Sequence, residues 1–234
     1  KKRRAKVVAL VNVPGSSLTR LADKTLLLQG GPEKAVLATK SYTAKLALFL
    51  LLASGAEGRR LTRLLLVKAA KGIEGMLKEG VENKVRELAE KLKDSEHLYA
   101  IGRGVNYPTA LEAALKIKEA SYIHAEGFAG GELKHGVIAL IEKGTPCLVF
   151  VADDETRSSA LSNAEELRSR GGFIMGISPA PSESFDFWIK TPKVGSASPI
   201  VNIFPAQLLA YHLALARGLD PDKPRNLAKS VTVK

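Results

Sequence analysis

In the stretch PTALEAALKIKEASYI, Glu112, Lys116 and Glu119 recur at i, i+4 and i+7, so a helix would carry an acid, a base and a second acid along one stripe. Such a stripe is open to two chemistries. It can be a solvated row holding a modest ion pair, or an acid/base cluster able to move a proton. Just downstream, HAEGFAGGELKHG (His124 to Gly136) gathers His124, Glu126, Glu132, Lys134 and His135 on a segment with four glycines. The glycines read as pliable backbone able to bring His135 close to a substrate or a partner. Polar residues beside small ones also serve as turn formers or as buried, hydrogen-bonded groups. A third candidate is Lys229 in the closing PRNLAKSVTVK, where the alternation of Leu227, Val231 and Val233 predicts a tail that packs down. A lysine held in a partly desolvated pocket becomes a better amine nucleophile toward a carbonyl. A surface lysine is the alternative reading.

Other residues give weaker signals. His124 and His135 stand eleven positions apart with no second ligand pair at helical spacing, a poor pattern for a metal. His97 and His212 read as structural. Cys147 is the single cysteine, which excludes an intrachain disulfide and a thiolate metal site, and it sits in PCLVFVAD, a buried-strand pattern. GRGVNYP follows a strand pattern and precedes a helix, yet it lacks the third glycine of a dinucleotide fingerprint, with Tyr107 in that place. Pro108 reads as the first helical residue.

The elements that must position these groups alternate between short apolar runs and longer helical ones, the pattern of an α/β protein with parallel sheets between helices. Strands are predicted over Lys6–Val13, Lys24–Gln29, His97–Gly102, Cys147–Ala152, Phe173–Ile177 and Phe187–Thr191. Helices are predicted over Ser41–Ala53, apolar nearly all round and therefore buried, over Ser159–Arg170 and over Pro205–Arg217. Val81, Val85, Leu88, Ala89 and Leu92 form a further helical stripe. In the helix after Pro108, Leu111, Ala114, Leu115 and Tyr122 are expected to face the core. Two αβ units meet near residues 93–97. The first opens directly on a strand after KKRRA, which looks like the last turn of a helix, so a fragment of something longer is expected.

Composition narrows the function classes. The 234 residues are 45% hydrophobic and 25% charged, an ordinary balance for a chain that buries a core. The net charge is +11, but five positive charges fall in KKRRAK at the start and few aromatics interleave the rest, so nucleic acid is not the expected partner. Anionic small ligands fit better. The longest apolar run, Leu46–Ala53, is far short of the ~20 residues a spanning helix needs. No signal-peptide pattern is present, so a cytoplasmic protein without a membrane partner is expected.

YAIGRGVNYPTALEAALKIKEASYIHAEGFAGGELKHGVIAL and PRNLAKSVTVK, with NVPGSSLTRLAD and GPEKAVLATKSYT before them, resemble the isomerase half of the glutamine–fructose-6-phosphate aminotransferase family over essentially the whole chain. The resemblance implies two sugar-isomerase (SIS) domains, each a flavodoxin-like parallel sheet between helices. The first, residues 1–93, would be truncated at its N-terminus, and residues 94–234 would form the second with the active-site tail. The resemblance also implies the conversion of fructose 6-phosphate to glucosamine 6-phosphate, the first step of amino-sugar synthesis, with no organic cofactor or metal. Lys229 would form a Schiff base with the ketose, Glu119 would shuttle the proton, Lys116 would lie near the enolate charge, and His135 would assist ring opening from the neighbouring subunit of a homodimer. Val36, Ala38 and Ala228 match positions that line the sugar; Ala38 stands where many members carry serine. The family's serine- and threonine-rich phosphate loop and its glutaminase domain have no counterpart here, so the chain alone is expected to be a poor catalyst. A glucosamine-6-phosphate deaminase of the same family and a non-catalytic sugar-phosphate-binding module are the alternatives.

Overall fold

The computed structural model describes residues 5–229, so Val231, Val233 and the KKRR start lie outside the described residues. The chain opens with β1 (Val8–Val11), the short helix α1 (Ser17–Leu21) and β2 (Lys24–Leu27), and β1 and β2 pair in parallel from Val8↔Lys24 to Val11↔Leu27. Three helices follow, α2 (Lys40–Ala53), α3 (Gly55–Lys78) and α4 (Val81–Leu92). The remainder runs β3 (His97–Gly102), α5 (Tyr107–Ser121), β4 (His124–Ala129), 3-10 segments over Gly130–His135 and Val137–Leu140, β5 (Pro146–Phe150), α6 (Arg157–Arg168), β6 (Phe173–Ser178), β7 (Phe187–Lys190) and α7 (Ser198–Ala216). These strands form one all-parallel sheet in the order β4-β3-β5-β6-β7.

The central strands read as continuous apolar runs because both of their faces are covered. Leu98, Ala100, Leu148, Phe150, Met175 and Ile177 point into a core shared with α4, α5 and α7. Tyr99, Ile101, Cys147, Val149 and Ile174 point the other way, toward α6 and the 3-10 segments. Burial pushes the Cys147 thiol up to about 12, which leaves it a core side chain and not a nucleophile at neutral pH. The helical stripe Val81, Val85, Leu88, Ala89, Leu92 is buried as predicted.

Four expectations are corrected. Helix α2 is not buried: Ser41 alone is, and Phe49 and Leu52 are 54% and 49% exposed. Although apolar on every side, it packs through Leu46, Ala47 and Leu50 against α3 and the start of α7, and through Tyr42 against the main core. Leu111 and Leu115 are 42% and 41% exposed, while the buried stripe of α5 is Ala110, Ala113, Ala114, Ile117 and Ala120. Small residues are needed there because α5 lies close on β4: a Cβ at Gly127 would stand 2.8 Å from the Leu111 Cα. Pro205 lies inside α7, which begins earlier, with Pro199 in its first turn. Finally, α3 and β4 are elements that the sequence pattern did not announce. Glycines broke the pattern of α3, and one of them, Gly72, packs where a Cβ would meet Pro192 at 2.5 Å.

The segment Gly195–Ala216 is long and apolar enough to cross a membrane by length and composition, with a mean hydropathy of 1.3 over its most apolar stretch. In the structure 61% of that stretch is buried, packed on α4 and α5 as the core helix of the second sheet.

Candidate functional site

The polar stripe of α5 faces inward. Lys116 is 2% exposed, and its ammonium lies 3.5 Å from Glu112 Oε1 and 2.5 Å from Glu119 Oε2. The neighbouring alanines make this possible, since a helix lined by small residues sits close enough to its surroundings to enclose a long cation. A lysine so buried survives only with counter-charges at hand, and the two flanking carboxylates supply them. Burial raises the pKa of Glu112, and the nearby Glu119 adds to that, while the Lys116 ammonium works against it. On the α2 side, burial together with the Glu112 charge pushes the Tyr42 phenol up to about 12. The cluster can therefore pass a proton through carboxylates held beside one fixed cation.

Lys116 lines a cavity of about 190 Å³ together with Ala35, Leu37, Thr39, Ala120 and Tyr211. The loop of residues 33–41 forms one wall. Its conformation is set by Glu33, which accepts hydrogen bonds from the Thr39 N–H at 2.5 Å and from the Ser41 hydroxyl. Burial alone would raise the Glu33 pKa, but those hydrogen bonds and the Lys229 ammonium overcome it and hold the carboxyl below its usual value.

Lys229 reaches the same loop from the other side. Its ammonium donates to the carbonyls of Ala35 at 2.6 Å and Val36 at 3.5 Å, and it lines a cavity of about 720 Å³ with Asn12, Gln29, Glu33 and Ser41. The tail is fixed by Tyr122, the residue that ends α5 at a left-handed φ of 61°. The Tyr122 hydroxyl accepts the Arg225 N–H at 2.6 Å, and the Arg225 guanidinium stacks 4.2 Å over the Tyr122 ring. The Val36 N–H donates to the Asp222 carbonyl at 3.2 Å, tying loop to tail a second time.

One expectation about the tail is corrected. Lys229 is exposed, and so are Leu227 and Ala228, while Val231 and Val233 lie outside the described residues; the described part of the tail is held by the buried Pro224, by hydrogen bonds and by the Arg225 stacking. Val36 and Ala38 are half-buried in the loop, with the Val36 carbonyl facing Lys229. Lys229 and the Lys116–Glu119 pair thus flank one loop.

His135 is placed elsewhere. Within HAEGFAGGELKHG, residues His124–Ala129 are strand β4, and His135 closes the 3-10 segment beyond its far end, exposed. Glu119 precedes the start of β4, so a strand of roughly 20 Å separates the two within one chain. Lys134 pairs with Glu166 at 2.9 Å, and His212 lies buried in α7, 3.6 Å from Glu82. Among the described residues no group of three or more His, Cys, Asp or Glu is arranged to hold a metal ion.

Glu33 and Tyr122 are the groups that sequence reasoning did not assign to the site. For Tyr122 no signal existed, since the left-handed position after a helix is usually taken by glycine or asparagine, and a tyrosine at a φ of 61° is an exception to that rule. Glu33 sits in a run with no periodicity to single it out.

Relatives are found over the whole chain. It is 47% identical to the glutamine–fructose-6-phosphate aminotransferase [isomerizing] of Pyrococcus horikoshii, covering 100% of this chain and 40% of the relative. The like-named protein of Bacillus subtilis is 46% identical over 97% of this chain and 39% of its own length. The chain therefore spans about 40% of the length of these curated relatives. Among solved structures, the C-terminal domain of glucosamine-fructose-6-phosphate aminotransferase from Francisella tularensis superposes with a TM-score of 0.84 at 34% identity, covering 93% of this chain and 65% of that one. Glucosamine-6-phosphate deaminase from Thermotoga maritima superposes with a TM-score of 0.78 at 26% identity, covering 98% and 68%. The sequence profile described as SIS domain matches residues 1–55 and 91–217, more than half of the chain, and the chain belongs to the SIS domain family.

Proposed function

We propose that the chain is the isomerase part of an aminotransferase that turns fructose 6-phosphate into glucosamine 6-phosphate, in the cytoplasm. Residues 1–93 and 94–234 would be its two SIS units. The observation that carries the reading is the seating of the Lys229 amine on the Ala35 and Val36 carbonyls, on the loop that also walls the Lys116 cavity. A ketose laid along that loop, past Val36, Ala38 and Ala228, meets the amine at its carbonyl, where loss of water gives a Schiff base. Glu119 then moves a proton between the two adjacent carbons, and Lys116 offsets the charge that develops on the enolate oxygen. Because His135 lies a strand length from Glu119, the ring-opening histidine comes from a second copy of the chain, so the working unit is a homodimer. Ammonia would come from a glutaminase domain in the longer protein, as the length of the relatives suggests.

The test is reductive trapping. The chain, and the Pyrococcus horikoshii relative with this segment spliced in for its counterpart, are incubated with fructose 6-phosphate and borohydride. A sugar-phosphate adduct on the peptide carrying Lys229, absent in Lys229→Ala, is the expected result. Trapping on another lysine, or undiminished turnover in Lys229→Ala of the spliced enzyme, refutes the reading. The likeness to the Thermotoga deaminase favours one second reading, in which the same cluster releases ammonia from glucosamine 6-phosphate. Measuring both directions with free ammonia separates the two.

A further inference from the structure

The sequence separates His97 and His124 by 27 positions, but the parallel register of β3 and β4 sets them directly opposite each other. Their Nδ1 atoms are 3.1 Å apart, and the rings meet edge to face with centroids at 5.3 Å. Both side chains are exposed, and β4 is an edge strand, so the pair opens to solvent. They share the sheet face of Tyr99, whereas α5 and the Lys116–Glu119 pair cover the opposite face. The proposed sugar chemistry gives these two imidazoles nothing to do.

We propose that His97 and His124 chelate one divalent transition-metal ion of the zinc, nickel or copper type. Two nitrogens held about 2.05 Å from one ion stand about 2.9 Å apart at a right angle and about 3.3 Å apart at the tetrahedral angle. The observed 3.1 Å, at which one ring N–H donates a hydrogen bond to the other ring's nitrogen, falls between these values, so the two side chains already stand at the separation one ion imposes, and an ion would take the place of the shared proton. Binding turns each exposed ring about its Cβ–Cγ bond, so that both lone pairs aim at a common point off the line joining the two nitrogens. No third His, Cys, Asp or Glu completes the set among the described residues, so water fills the remaining positions. Imidazole donors select these ions over magnesium or calcium, which want oxygen. Copper(II) binds tightest of the series. Bound metal would staple the edge strand β4 to β3.

The experiment is a titration of Ni(II), with Mg(II) as the control, into the chain free of added histidines, read by calorimetry and by the ring resonances of its four histidines. One ion per chain is expected, weakened roughly tenfold or more by His97→Gln and by His124→Gln, with Tm rising with Ni(II) in the native chain only. If either variant fails to fold, the native chain decides: paramagnetic broadening confined to the His97 and His124 rings supports the site. No saturable Ni(II) binding, equal binding in folded variants, or broadening centred on His135 or His212 overturns it.

Discussion

Replacing Lys116 by methionine removes the one cation between two carboxylates and keeps the volume of the side chain. At an effective dielectric of about 20, contacts at 3.5 Å and 2.5 Å are worth roughly 5 and 7 kcal/mol in gross attraction. Desolvation of an ammonium that is 2% exposed offsets several kcal/mol of this. Taking one partner out of a buried pair generally costs about 3–5 kcal/mol. The Glu112 and Glu119 side chains are 15% and 22% exposed, so water screens part of the loss. We therefore expect Lys116→Met to cost about 3 kcal/mol at pH 7.5, a fall in Tm of about 6–12 °C for a chain of this size. The pH dependence has a definite sign. Glu112 already has a raised pKa, so it binds its proton more tightly folded than unfolded, and its contribution to stability falls as pH rises above its unfolded value. Without Lys116 that slope steepens, whereas near pH 4.5 a protonated Glu112 needs no counter-ion and the penalty shrinks. Thermal and urea unfolding followed by circular dichroism at both pH values measures this. A variant as stable as the native chain at pH 7.5, or one hurt more at pH 4.5, refutes the argument. Adding Glu112→Gln and Glu119→Gln to Lys116→Met should return most of the loss.

Three further outcomes are expected. Glu119→Gln keeps the shape of the site but cannot accept a proton, so isomerisation in the spliced enzyme drops at least ~100-fold while borohydride trapping at Lys229 persists. Tyr122→Phe keeps the Arg225 stacking but loses the hydroxyl that anchors the tail, so trapping at Lys229 slows several-fold with Tm lowered by no more than a hydrogen bond's worth, ~1 kcal/mol. Glu33 has a folded pKa below its unfolded value, so it stabilises above the unfolded value and that stability is lost as pH falls through the folded one. Glu33→Gln therefore flattens the acid limb of a stability-versus-pH curve, and an unchanged limb would contradict this.

The strands other than β4, and the α4 stripe, were legible because period and burial agree there: β5 and β3 beyond its exposed His97 are continuous buried runs, and Val81, Val85, Leu88, Ala89 and Leu92 form a buried stripe. The spacing of Glu112, Lys116 and Glu119 was legible as a stripe, but its inward direction was not. Leu111 and Leu115 outbid the alanines on hydropathy, although close approach to β4 favours small side chains. Strand β4 was hidden because Gly127, there for the contact with α5, looked like looseness. The meeting of His97 with His124 depends on strand order, which no local pattern encodes.

The Lys229 contact with Ala35 joins positions 194 apart, nearly the full span of the chain. Closing a ring of that size carries an entropic cost, which the contacts at the loop around Glu33 and at Tyr122 offset. If Lys229 is the reactive amine proposed above, assembly of the scaffold and placement of that amine are separable events. Under the proposed Schiff-base role, proteolytic trimming just ahead of Lys229 would leave the five-stranded sheet intact and remove the reactive amine, and a factor that grips the tail could govern competence without touching the sheet.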